Sequence, residues 1–349
     1  MVRYPSHPTP RLSRVTLPDP RPRPRVHPVV LVLVGIASVQ LGAGIAKSLF
    51  DVADPTTLVW LRLVTSSLVL LAFVRPRLRG HSARDWAVVV AFGASLGLMN
   101  WAIYQSFARI PLGVAVTLEF TGPLLLAVAG SRRARDLVWV VLAGLGVVLL
   151  GVDGGGSVTL VGALLAVLAG GFWASYILLS ARTGASWPGL DGLAVASTIG
   201  TLLLTPAVVG PALVGHPDPA LTDPRVLLLG AAVGLLSSVV PYSCELVALR
   251  TLRPSVFGIL MSLEPAAAAL AGLLVLGETL GPAQWLALVC VVVASVGATR
   301  APGSPVPTEG PVPAEAPDAT SVTDGADEPG PVPFTEKSHG VAPEGSSPL

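Results

Sequence analysis

The chain is built from long apolar runs separated by short polar breaks. Ten such runs fall near residues 28–50, 56–74, 86–108, 111–130, 137–152, 159–181, 191–214, 225–249, 254–276 and 283–299. A helix rises 1.5 Å per residue, so about 20 residues of this kind cross the ~30 Å hydrocarbon core of a bilayer. Only 12% of the 349 residues are charged and 52% are hydrophobic, whereas ordinary soluble domains carry about 25% charged residues. Such a chain cannot cover a water-facing surface. The pattern predicts an all-α integral membrane protein with ten transmembrane helices, the fifth and tenth of them short. The first run is too long for a signal-peptide core and lacks an obvious cleavage site, so it is expected to remain as a membrane helix.

Most of the charge lies outside these runs. Residues 1–27 hold Arg3, Arg11, Arg14, Arg21, Arg23 and Arg25 among many prolines, and residues 301–349 hold eight acidic residues against Lys337. Both stretches lack the apolar content for a core and are expected to be disordered tails. The formal net charge of +1 is segregated rather than pooled and gives no reason to expect a nucleic-acid partner. Cys244 and Cys290 sit in apolar runs, where a thiol behaves as a small hydrophobe. Neither a disulfide framework nor a metal-binding spacing is present, so no metal or other cofactor is expected.

The arginines set an orientation. If the N-terminus is cytoplasmic, the inward loops contain Arg75, Arg77, Arg79 and Arg84, then Arg132, Arg133 and Arg135, then Arg182, then Arg250 and Arg253. The outward loops DVADP, DGGGSV, GHPDPALTDP and GETLGP have no arginine or lysine, and only Arg109 and Arg225 break the pattern. This positive-inside bias predicts that both termini are cytoplasmic.

The ten runs divide into two fives. The fourth and ninth open alike, at RIPLGVAVTLEFTGP and TLRPSVFGILMSLEP, each with a proline suited to a first helical turn and then a lone glutamate, Glu119 or Glu264. Trp139 precedes Gly151 by the same interval at which Trp285 precedes Gly297. An odd number of spans per half forces the halves into opposite orientations, an arrangement found in many secondary transporters with midplane substrate sites. The predicted repeats cover residues 28–152 and 159–300. By helix rise, Glu119 lies roughly 12 Å from the outer face and Glu264 roughly 15 Å from the inner face. The two carboxylates approach one depth from opposite sides.

The stretches SVQLGAGIAKSLF, LMNWAIYQSFARIPLGVAVTLEFTGPL and VVPYSCELVALRTLRPSVFGILMSLEPAAAALAGLLVLGETL closely resemble the threonine and homoserine exporters of the drug/metabolite transporter superfamily, whose repeat is the EamA domain. The resemblance covers about residues 28 to 300. It implies two inverted five-helix EamA repeats, a bacterial inner (plasma) membrane location, and export of small amino acids driven by an ion gradient. The two tails depart from the family pattern. No site signature comes with the resemblance, so the candidate site residues rest on physical argument.

An ionisable group inside a membrane is a functional hypothesis by default. Glu119 and Glu264 are deep carboxylates; the alternative for each is a structural hydrogen bond. Arg62, about 9 Å from the outer end of its span, is the deep cation, expected either to hold a substrate carboxylate or to neutralise a glutamate. Lys47 lies near the outer end of the first span, where its stem favours snorkelling to the headgroups over a role in the site. Asn100 and Tyr104 share one helical face, and Gln40 and Tyr242 are further polar candidates; all four serve equally well as glue between helices. Glu245, near Arg250, reads as half of an interfacial ion pair. Gly93/Gly97 and Gly230/Gly234 read as close helix packing. These residues predict a cavity between the first, third, fourth, eighth and ninth spans, where one glutamate meets a substrate ammonium or exchanges a proton.

Rival classes fare worse. GASLG at residues 93–97 formally matches G-x-S-x-G, but that motif needs a strand-to-helix elbow and a histidine base. Ser95 is mid-run, and His7, His27, His81, His216 and His339 all lie in tails or loops. No enzyme is expected. A channel would need a pore-loop signature or charged ring. Export of drugs or other metabolites stays open as the alternative, mildly disfavoured by an aromatic content of 5%. The partners expected are thus a small-molecule substrate and the bilayer, with homo-oligomerisation left open by small-residue pairs that fit packing within or between chains.

Overall fold

A computed structural model describes residues 27–129, 137–152, 158–216, 218–249, 252 and 254–299. Both tails expected to be disordered, and the arginines at 132, 133, 135, 250 and 253, lie outside the described residues. The described residues form α-helices with no strand: α1 (Pro28–Lys47), α2 (Pro55–Val74), α3 (Ala83–Phe107), α4 (Leu112–Glu119), α5 (Thr121–Ala129), α6 (Leu137–Val152), α7 (Leu160–Gly184), α8 (Asp191–Leu213), α9 (Pro224–Gly234), α10 (Val240–Leu249), α11 (Pro254–Met261), α12 (Glu264–Leu276) and α13 (Pro282–Thr299). A π-helical turn, Leu235–Val239, joins α9 to α10. Eight segments are long and apolar enough to cross a membrane, and Leu137–Leu149 and Pro282–Ala298 are shorter apolar helices.

Helix starts follow local chemistry. The Asp54 carboxylate accepts from the Thr56 N–H ahead of α2, and Ser82 and Asp85 form a reciprocal capping box at α3. Thr159 caps α7 through the Gly162 N–H. Large apolar side chains cover the outside, among them Phe73, Leu213, Leu228 and Leu274. So wide an apolar exterior suits lipid rather than water.

Three runs expected to be continuous helices are interrupted. Residues 111–130 break after Glu119, residues 254–276 break at Ser262–Leu263, and residues 225–249 pass through the π-turn. A proline stands just downstream each time. Pro123, Pro265 and Pro241 have no N–H to give the carbonyls four residues earlier, on Glu119, Met261 and Ser237.

Packing rests on small residues. The main helix pairs are α3 with α7 and α8, α1 with α10 and α12, α2 with α8 and α9, α6 with α13, and α4 with α7 and α12. A methyl on Gly93 would lie 2.6 Å from the Ala196 carbonyl oxygen, and one on Gly97 would lie 3.0 Å from Gly200 Cα. The GASLG stretch is therefore the seam between α3 and α8. Gly234 meets the Arg62 carbonyl and Thr65 in the same way, and Gly230 meets Leu61. Without water to expel, helices in lipid associate through this kind of close van der Waals contact. Gly297 of α13 lies against the Trp139 indole of α6, where a methyl would come within 2.5 Å of the ring.

Candidate functional site

The π-turn organises one wall of a cavity. Within it the Val240 N–H bonds the Leu235 carbonyl, and the neighbouring carbonyls turn to other helices. The Leu236 carbonyl accepts from Ser38 Oγ of α1 at 2.6 Å. The Ser237 carbonyl accepts from Arg62 Nη2 of α2 at 3.1 Å. The chain's local defect thus fixes α1 and α2 beside it, and π-bulges are frequent at functional sites.

The breaks after Glu119 and before Glu264 form other walls. Gly122 and Gly170 let the backbones of α5 and α7 touch: a methyl on Gly122 would strike the Gly170 carbonyl, and one on Gly170 would strike the carbonyl of Glu119. Phe120, between the half-helices, stands edge-on to Trp173 of α7 with ring centroids 5.2 Å apart. Gly113 brings α4 against Ala269 of α12, where a methyl would lie 2.7 Å from the Ala269 Cα.

These elements line a partly open cavity of about 80 Å³. Gln40, Arg62, Asn100, Glu119, Tyr242 and Glu264 all line it. Six residues singled out in the sequence therefore converge on one space, drawn from α1, α2, α3, α4, α10 and α12. Asn100 donates its Nδ2 to the Leu96 carbonyl at 2.8 Å. Tyr104, fully buried, stands beside Arg62 with its ring 5.8 Å from the guanidinium carbon. Among the described residues the Tyr104 hydroxyl, Arg62 Nε, Gln40 Oε1 and Ser237 Oγ are buried without a hydrogen-bond partner.

Lys47 is elsewhere. Its ammonium pairs with Glu278 at 2.5 Å and donates to the Ile110 carbonyl at 2.7 Å. The lysine reaches protein rather than headgroups, which corrects the snorkelling expectation and takes its charge out of the cavity.

Other lining residues were missed. Glu245 is 4% exposed and lines the cavity, whereas its sequence position suggested an interface. Ser237, Pro241 and Glu245 follow one another at i, i+4 spacing, and that common face was the available signal. Trp173 lines the cavity from α7, and no polar cue in that run marks it. Among the described residues no three His, Cys, Asp or Glu side chains are grouped to hold a metal ion. The carboxylates of Glu119, Glu245 and Glu264 are spread around the cavity instead.

A helical membrane scaffold with broken spans and a small, charged interior cavity defines a transporter class, and comparison with known proteins agrees. A model described as the EamA-like transporter family matches residues 160–300. The chain is 44% identical over 275 residues to the threonine/homoserine exporter RhtA of Escherichia coli K12, covering 78% of this chain and 91% of that one. It is 43% identical over the same length to RhtA of Salmonella typhimurium LT2, with the same coverage of each chain. It is 25% identical over 268 residues to the uncharacterised inner membrane transporter YedA of Escherichia coli K12, covering 72% and 85% of the two chains. One solved crystal structure, 19% identical, superposes with a TM-score of 0.53 over 77% of this chain and 96% of its own; that likeness concerns the fold alone. The chain belongs to the EamA-like transporter family. It is a membrane transporter and not an enzyme.

Proposed function

We propose that this protein exports small amino acids of the threonine and homoserine type from the cytoplasm by alternating access, coupled to the proton gradient. The observation that carries the reading is the convergence of Glu119, Glu264 and Arg62 on one small cavity. A zwitterion needs an acceptor for its ammonium and a donor for its carboxylate, and leaving either unpaired in a low-dielectric cavity costs several kcal/mol. One glutamate meets the ammonium, Arg62 meets the carboxylate, and the second glutamate carries the proton. The names of the relatives at 44% and 43% identity support the substrate class.

Size favours this over the drug-exporter alternative. Pockets for drug-sized ligands run to about 300–1,000 Å³, several times the roughly 80 Å³ here. A solute of a few heavy atoms suits the space.

The architecture proposed is ten spans in two inverted repeats, residues 28–152 and 159–300, with α4–α5, α9–α10 and α11–α12 each counted as one span. Several packing pairs exchange under a two-fold operation that swaps the repeats. Thus α1 meets α10 as α7 meets α3, α1 meets α12 as α7 meets α4, and α2 meets α9 as α8 meets α3. Broken helices at corresponding places near the midplane are where inverted-repeat transporters bind substrate. The arginine bias adds cytoplasmic termini.

The test is flux. Purified protein in vesicles with an imposed pH gradient is offered a panel of labelled amino acids. Accumulation of threonine or homoserine that collapses with a protonophore is the expected result. Transport of cationic dyes with no amino-acid flux would move the assignment to drug export.

A further inference from the structure

Arg62 carries its charge inside an apolar span, where ionisable groups pair with one another or with backbone carbonyls. Three carboxylates, on Glu119, Glu245 and Glu264, line the same cavity. Among the described residues the Arg62 guanidinium nevertheless forms no ion pair. Two uncharged groups hold it instead. Nη2 donates to the Ser237 carbonyl at 3.1 Å, and the guanidinium carbon lies 5.8 Å from the centre of the Tyr104 ring. The carbonyl is available because Pro241, four residues on, has no N–H to give it. The ring is fixed. Tyr104 is 0% exposed, and the rings of Phe50 and Phe107 stand 6.2 and 5.7 Å from its own. Arg62 lines the cavity and Tyr104 does not, so the tyrosine touches the arginine rather than a solute.

We infer that Tyr104 is a positioning residue for recognition of the substrate carboxylate: its ring face, with the Ser237 carbonyl, holds the Arg62 guanidinium in place without occupying it. The inference rests on the export reading above and names how its carboxylate contact is prepared. A guanidinium presents five N–H donors in a planar fork that matches a carboxylate bidentately. A glutamate seated on that fork would take the donors a substrate needs, and would compete with every substrate that arrives. An aromatic ring attracts the cation through its quadrupole and uses no N–H at all. The attraction is strongest where water is kept away, as it is around a residue buried like Tyr104. Arg62 is therefore held and still available. The Tyr104 hydroxyl is buried without a hydrogen-bond partner among the described residues, so the ring carries the role and the hydroxyl does not.

The experiment measures KM and kcat for threonine in vesicles carrying the full chain, with inhibition by unlabelled threonine and by threonine amide, which lacks the carboxylate charge. The native protein should prefer threonine to its amide by about 100-fold. Tyr104→Leu should raise KM about tenfold, leave kcat near the native value and shrink that preference by a similar factor. Tyr104→Phe keeps the ring and should match the native protein in all three. Progressively fluorinated phenylalanines at position 104 keep the shape while draining the negative ring face, so KM should climb with fluorine content even if the leucine variant fails to fold. A KM and a preference indifferent to fluorination overturn the inference, and so does a phenylalanine variant as impaired as the leucine one. A fall in kcat alone would mean packing and overturns it too. Threonine transport inhibited equally by the amide removes Arg62 from carboxylate recognition, and Tyr104 with it. No threonine flux by the native protein sinks the export reading itself.

Discussion

Lys47 Nζ lies 2.5 Å from Glu278 Oε1, and the other oxygen of that carboxylate accepts from the Leu112 N–H at 2.8 Å. The last residue of α1, the first of α4 and the turn between α12 and α13 are held by one ion pair. Gly272 permits it, because a methyl there would lie 2.7 Å from Glu278 Oε2. Both side chains are mostly buried, at 16% and 18% exposure. Removing one partner leaves the other charge poorly solvated, at a cost of about 1–3 kcal/mol for a pair that keeps some access to solvent. Lys47→Met and Glu278→Gln should each lower the melting temperature in detergent, and the double variant should lose less than their sum. Strictly additive losses would mean that the pair contributes nothing as a pair.

The carboxylates at the two breaks should separate by role. Glu119→Gln is expected to abolish gradient-driven efflux while leaving the protein folded and inserted. Glu264→Gln should impair efflux through its coupling, so that threonine exchange persists but no longer responds to an imposed pH gradient. Vesicle flux with and without the gradient reads both. Export at the native rate by both variants across the physiological pH range would make the carboxylates structural.

Where Gly122 and Gly170 meet, there is no room for a methyl. Gly122→Ala and Gly170→Ala should each destabilise the protein by about 1–3 kcal/mol through overpacking, and disturb transport by moving the Glu119 backbone. Gly171 is the control, since a methyl there meets nothing within 4 Å. Gly171→Ala should melt with the native protein, and equal losses at all three positions would refute the packing account.

Orientation is open to a simple fusion assay. A reporter active only outside the cytoplasm should work when fused after Gly155 and fail after Arg133, because arginine-rich loops stay inside. The reverse pattern would invert every depth assigned above.

The sequence alone determined the class and the positions of the apolar segments, because a bilayer demands long apolar helices and leaves few other solutions. It also pointed to the lining residues Gln40, Arg62, Asn100, Glu119, Tyr242 and Glu264, since each polar group in an apolar run carries a cost that needs explaining. The breaks were half legible. Pro123, Pro241 and Pro265 stand just past the interruptions, yet α8 continues through Pro206 and Pro211, so proline alone does not decide where a helix fails. Contact does: at the first break, Gly170 admits the backbone of Glu119 and Gly122. Tertiary structure likewise chose Glu278 as the partner of Lys47, turned Glu245 into the cavity and brought Trp173 to its wall. The reason lies in the solvent. A helix that is apolar all round has no period to reveal its buried face, and lipid tails are as apolar as a helix neighbour. Which face turns inward is settled by small residues that let backbones meet and by polar groups that must find partners, and both depend on helices far away in the chain.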